Sequence, residues 1–191
     1  TVTPSGTEPP RLKFSDQGDY LIGSRPVGGG NTVGEITVWL KVNSWQAAGT
    51  NTGAMQYGNK ISVPARFSGH CVDISSDGQT IAFSVSASSF NDVRVYTYNV
   101  PAGWTTGSGT WTQKGATLTG VLNSESFGVG RGDIIYNTGN RRQVALSGDG
   151  NRLVVGSPAY LDSPPAAQND QGAVYVFNYI SGAWVLDNVT S

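Results

Sequence analysis

One phrase is written three times in this chain. "SGDGNRLVVGSPAY" at 147 to 160 repeats "SSDGQTIAFSVSAS" at 75 to 88 and, more loosely, "SDQGDYLIGSRPV" at 15 to 27. Aligned on Ser15, Ser75 and Ser147, the copies lie 60 and 72 residues apart, so the period is uneven while the internal order is kept. Self-similarity at this spacing signals a repeat architecture, in which each unit is too small to bury its own faces and stacks on its neighbours.

The order within a copy is strand, corner, strand, loop, strand, turn, strand. Each opens on a short alternating stretch, "LKFS", "VDIS" or "VALS", whose first and third residues are apolar, as a pleat of period two requires. A polar corner follows, Asp77-Gly78 and Asp149-Gly150 in the later copies and Gln17-Gly18 in the first. Asp-Gly between apolar runs predicts a hairpin with a type I′ turn. The next strand, "YLIGS", "TIAFSV" or "RLVVGS", is apolar without alternation, which predicts an inner strand covered on both faces. A third strand, rich in β-branched and aromatic residues, starts at Glu35, Val93 and Ala173. Each copy then reaches a tryptophan, Trp45, Trp104 or Trp111, and Trp184, where a fourth, outer strand is expected. No segment carries helical periodicity or a capping pattern.

Four-stranded antiparallel units with two-faced inner strands describe the blades of a β-propeller. The fold class predicted is all-β, a β-propeller-like array of about three four-stranded antiparallel blades. The blades divide the chain at 1–66, 67–126 and 127–191 as one continuous repeat domain. Closed propellers have four to eight blades. Three legible copies, the first without a clear Phe-Gly lead-in and the last stopping soon after Trp184, therefore lead us to expect a segment of a larger propeller or one completed by neighbouring chains.

The third copy, "RLVVGSPAY…QGAVYVFNYISGAW", resembles the FG-GAP repeat of integrin-α-type propellers. Phe127-Gly128 matches the Phe-Gly element, Gly156-Ser157-Pro158 the Gly-Ala-Pro-like segment, and Gly172 to Phe177 the Gly-x-Val-Tyr-Val-Phe strand. The second copy keeps Phe67-Ser68-Gly69 and "VRVYTY"; the first keeps Gly23-Ser24-Arg25-Pro26 and "GEITVW". The chain is also similar to degenerate propeller arrays of large secreted or surface proteins of microbes and of virus particles. The resemblance implies an adhesion or structural module at a cell surface, outside the cell or on a particle. Its partners would be other protein chains or further blades of the same protein.

Integrin-type blades often bind calcium in the first hairpin, through several converging carboxylates. Here the corner offers one carboxylate, so no metal and no cofactor is expected there. Asp162, Asn169 and Asp170 share a long loop that reads as solvated.

Arg131-Gly132-Asp133 is an RGD tripeptide, a candidate binding motif of a cation and a carboxylate on one loop. The resemblance gives it no support, because an integrin-like propeller is the receptor side of such recognition. Asn188-Val189-Thr190 is the one glycosylation sequon, which makes Asn188 a candidate acceptor on a surface protein.

Catalytic residues are not expected. His70 is the single histidine, and no nucleophile elbow accompanies it. The carboxylates carry no glycosidase signature. "VGGGNTVG" lacks the lysine and following helix of a phosphate loop. Cys71, the one cysteine, reads as a small buried hydrophobe. Trp39, Tyr96, Tyr98, Tyr175 and Tyr179 line the third strands; they read as interblade packing, with a lectin-like, glycan-stacking use as the alternative. A glycoside-active enzyme is the third reading.

Charged residues make up 13% of the chain, about half the usual share, and the net charge is −1. With basic residues dispersed, no case exists for nucleic acid or an anionic membrane surface. No apolar stretch approaches the roughly 20 residues needed to insert into a bilayer as a helix.

Overall fold

The computed structural model describes residues 11–25, 34–41, 54–63, 69, 71–87, 90–100, 109–120, 127–128, 143–158 and 172–190. Among them there is no helix; the chain forms three open antiparallel sheets. Sheet 1 orders β1 (Arg11–Phe14), β2 (Tyr20–Arg25) and β3 (Gly34–Lys41), with β4 (Ala54–Gln56) and β5 (Ile61–Val63) both beside β3. Sheet 2 orders β6 (Val72–Ile74), β7 (Thr80–Ala87) and β8 (Phe90–Asn99), with β9 (Thr110–Gln113) and β10 (Leu118–Thr119) both beside β8. Sheet 3 runs β11 (Val144–Leu146), β12 (Arg152–Ser157), β13 (Ala173–Ile180), β14 (Ala183–Thr190).

The register shows that the three sheets are one unit written three times. Tyr20 pairs with Leu40, Thr80 with Thr97 and Arg152 with Asn178, each five residues after the aligned serine. The outer strand is interrupted at one place in every sheet. It leaves the third strand opposite Thr37 and Val38 in sheet 1 and opposite Arg94 and Val95 in sheet 2. In sheet 3 the break shrinks to a bulge between Val176 and Phe177, so β14 stays continuous.

The corners are built alike, but not as type I′ turns. Gly18, Gly78 and Gly150 each donate their N–H to the carbonyl of the aligned serine, Ser15, Ser75 or Ser147. Each serine hydroxyl accepts the N–H of the residue five on, Tyr20, Thr80 or Arg152. Only the glycines have positive φ (72°, 70° and 66°), so the loop is a four-residue one around a type I turn with Gly at its last position. The serine bonds are common to all three corners, including the first, which has Gln17 at this position; in the later two an acidic side chain adds to them. Asp77 Oδ1 accepts the Gln79 N–H at 2.9 Å and the Ser75 hydroxyl at 2.6 Å, and Asp149 binds Asn151 and Ser147 in the same way. Those bonds hold the aspartate in an Asx-type turn. The two-residue turn with positive φ at both centres lies at Ser181-Gly182 (φ 50° and 88°), joining β13 to β14.

Two cores result. Ile22, Ile36, Val38 and Ile61 of sheet 1 pack on Ile74, Ile81, Phe83 and Val85 of sheet 2. Ala82, Val93, Val95 and Leu118, on the opposite face of sheet 2, pack on Val144, Leu153, Val155 and Tyr175 of sheet 3. Strand β7 thus sends alternate side chains into different cores, as its unbroken apolar run requires. In β12 the expectation of two covered faces fails on one side. Leu153 and Val155 are buried while Val154 is half-buried, because no described sheet packs beyond it.

Candidate functional site

The chemistry-bearing side chains of the described residues converge on the seams between sheets. At the outer seam of sheets 1 and 2, Trp111 donates its indole N–H to the Tyr57 carbonyl at 2.9 Å, and Tyr57 stacks on Tyr98 with ring centres 4.0 Å apart. Gln79 donates to the Tyr57 hydroxyl at 2.8 Å, while the Tyr98 hydroxyl accepts the Gly109 N–H at 2.8 Å. Burial drives the Tyr57 hydroxyl well above the ordinary phenol range, so it stays neutral.

The seam of sheets 2 and 3 repeats this arrangement position by position. Trp184 donates its indole N–H to the Lys114 carbonyl at 2.7 Å, and the Lys114 ammonium lies 4.6 Å from the Tyr179 ring centre. That ammonium also donates to Gly150 O (2.8 Å) and Asn151 Oδ1 (2.9 Å). Desolvation lowers the Lys114 pKa, against the pull of Asp149 and Asp77. Tyr57 and Lys114 are equivalent: each follows a glutamine (Gln56, Gln113) at the outer-strand break, and each donates its backbone N–H to the matching third-strand valine, Val38 or Val95. The glycine after each, Gly58 or Gly115, has positive φ (79° and 76°). A Cβ there would lie 2.8 Å from the tryptophan ring, so the side chain must be absent.

The inner seams repeat too. Gly69 and Gly128 donate N–H to the equivalent carbonyls of Ser84 and Gly156, and each presses on the preceding sheet, Gly69 on Ser24 and Ile36, Gly128 on Val93. The corners form a chain: the Ser76 hydroxyl donates to Asp16 Oδ2, and the Ser76 N–H donates to the Gly148 carbonyl at 2.9 Å. Between the first strands of the three sheets, Asp73 stands 3.6 Å from Lys13 and accepts the Leu146 N–H at 2.8 Å, tying β1, β6 and β11 together.

Each inter-sheet seam therefore has two halves. A forward face, on sheets 1 and 2, carries the break loop and the aliphatic triplet Ile22, Ile36, Val38 or Ala82, Val93, Val95. A backward face, on sheets 2 and 3, carries the clamp tryptophan and tyrosine. By register, sheet 3 has its own forward face, Val154, Val174 and Val176, and sheet 1 its own backward face, Leu12, Phe14, Leu21 and Trp39. No described sheet packs on either, and each has an exposed apolar residue, Leu12 (57% exposed) and Val174 (41%).

The sequence-predicted residues distribute as follows. Arg131, Gly132 and Asp133 lie outside the described residues, as do His70, Asp162, Asn169, Asp170, Trp45 and Trp104. Asn188 falls in β14, facing Val176 in the register. Cys71 is buried in the second core. Tyr98 and Tyr175 are buried at the seams, and Tyr96 and Tyr179 are half-buried there. Sheet 1 has Ala54, not a tryptophan, at the position of Trp111 and Trp184. Among the described residues, no group of three or more His, Cys, Asp or Glu side chains is placed to hold a metal, and no helix is long and apolar enough to cross a membrane. The break-loop residues Tyr57 and Lys114 escaped sequence reasoning. The shared "Q-[YK]-G" would have revealed them had the outer strands been aligned.

No protein-family model matches the chain, and no curated protein matches it. Among solved structures it is similar to a hypothetical selenium-binding protein from Sulfolobus tokodaii, at 16% identity and a TM-score of 0.53. The match takes in 93% of this chain and 39% of that one, so the chain spans about two fifths of its neighbour. At that identity the likeness is one of fold.

Proposed function

We propose that the chain is a non-enzymatic structural or adhesion module that acts through protein–protein contacts, its three sheets forming blades of an FG-GAP-like propeller. One observation carries this reading. Polar groups of Tyr57, Trp111, Lys114 and Trp184 are committed to bonds that hold one sheet on the next. A side chain already locked in a seam bond is unavailable to a substrate. Strand β6 also meets both β1 and β11, as neighbouring strands around a propeller axis would. Display outside the cell, on a cell surface or on a particle belongs to the same proposal, through the FG-GAP resemblance.

Selenium binding is not extended to this chain, since the likeness to the neighbour is one of fold and the one cysteine is buried. The intact chain is tested on a glycan array and a panel of chromogenic glycosides, and both are expected to be blank. Glycan binding abolished by Trp39→Ala would favour the lectin reading. Turnover abolished by Asp92→Asn, which removes a buried carboxylate, would favour an enzyme.

A further inference from the structure

We propose that a second copy of this chain docks head to tail, the backward face of its sheet 1 seated on the forward face of sheet 3. The proposal rests on the protein-contact reading above and names the partner and the surface. Its first support is continuity with the seams inside the molecule. Each seam pairs an aliphatic forward triplet with an apolar backward face, and the described sheets end on one further forward triplet and one further backward face, exposed at Val174 and Leu12. Val154, Val174 and Val176 stand where Ala82, Val93 and Val95 stand in the covered sheet 2. Leu12, Phe14 and Leu21 stand where Val72, Ile74 and Ile81 stand. A face and its complement on opposite ends of one molecule make a heterologous contact between copies.

The second support is charge. Within the molecule, the residue at the outer-strand break meets the last residue of the next sheet's third-strand clamp: Tyr57 meets Tyr98, and Lys114 meets Tyr179. The register gives the unpaired equivalents. On sheet 3 the break position is Asp187, the extra residue of the bulge opposite Val176 and Phe177. On sheet 1 the clamp position is Lys41, paired with Ala54 as Tyr98 is with Trp111. Head-to-tail docking therefore brings Lys41 of one copy against Asp187 of the other, an opposite-charge pair where the internal seams use a stacked pair and a cation–π pair. Both are at the surface with modest present partners, Lys41 beside Asp19 at 3.5 Å and Asp187 beside Arg152 at 3.2 Å, so a cross-copy contact enlarges two exposed ion pairs into one network.

The test is sedimentation equilibrium of the intact chain and three variants. Wild type is expected to associate reversibly. Lys41→Asp and Asp187→Lys should each weaken association by about tenfold or more, since each sets like charges opposite one another. The doubly reversed chain, carrying both changes, should recover most of the loss. Recovery cannot come from within one molecule, where sheet 2 stands between the two residues. Leu12→Asp and Val174→Asp, both at exposed positions, give a second measure. Each alone should stay monomeric, and an equimolar mixture should form a dimer from the one intact face of each. Dimers of Leu12→Asp alone, no rescue by the double reversal, or a monomeric wild type would each overturn the docking. The blank glycan and glycoside assays would then still stand for the protein-contact reading, which fails only on those assays.

Discussion

Asp149 shows how much one exposed side chain can organise. Its carboxylate accepts the Ser147 hydroxyl first, then the Asn151 N–H, and these bonds hold its pKa below the usual aspartate value. A depressed folded-state pKa means the carboxylate adds stability above the unfolded value, near 3.9, and loses it as pH falls through the folded one. Asp149→Asn keeps the oxygen and removes the charge. The variant should therefore unfold at lower urea than wild type at pH 7, and the difference should close as the pH is lowered through the aspartate range. Asp92 behaves in the opposite sense, because desolvation raises its pKa despite Arg94 beside it, so neutral pH costs stability that acid returns. That contribution is common to both proteins and cancels in the comparison. An equal gap at pH 7 and below the folded pKa would show that the corner depends on shape and not on the charge of Asp149.

Strands and seams are where sequence reading succeeded and where it stopped. The first two strands of each sheet were legible because apolar patterning is a local signal, and β1, β2, β6, β7, β11 and β12 fall where the repeated phrases put them. The corner's position was legible but its turn type was not, since Asp-Gly alone does not disclose that Ser147 and Asp149 bond to each other across the loop. The outer strands were the least legible. Their apolar content is slight, and in sheets 2 and 3 their placement depends on one indole N–H reaching a carbonyl of the sheet before. Those two bonds differ in burial, with Trp111 only 5% exposed and Trp184 half-buried. Replacing the indole by phenylalanine strands the accepting carbonyl, at about 1 kcal/mol where water can reach it and up to about 3 kcal/mol where it cannot. Trp111→Phe should therefore lower the unfolding free energy more than Trp184→Phe, measured by urea titration. The reverse order would mean that the Lys114 clamp, and not the indole bond to Tyr57, is the main fastening.

At the scale of the whole molecule, stability in a stacked array is a sum of unit and interface contributions, and the middle unit shares in both interfaces. Among the described sheets, sheet 2 alone is packed on both sides, with Ile81, Phe83 and Val85 in one core and Ala82 in the other. Strand β7 is also hydrogen-bonded along both edges, to β6 and β8. Strands β2 and β12 share the edge pairing but are packed fully on one face only. Local opening needs fewer contacts to break where one face is bare, so protection against amide hydrogen exchange should descend from β7 to β2 and β12, and then to β1 and β14 at the sheet edges. Measured at low protein concentration, this gradient reports the isolated chain. Raising the concentration until copies associate should slow exchange in β1 and β13, whose side chains form the two faces brought together, and leave β7 unchanged. A flat profile in which β12 is as protected as β7 at low concentration would mean that the forward face of sheet 3 is already covered within one molecule, and the second copy would have nowhere to dock.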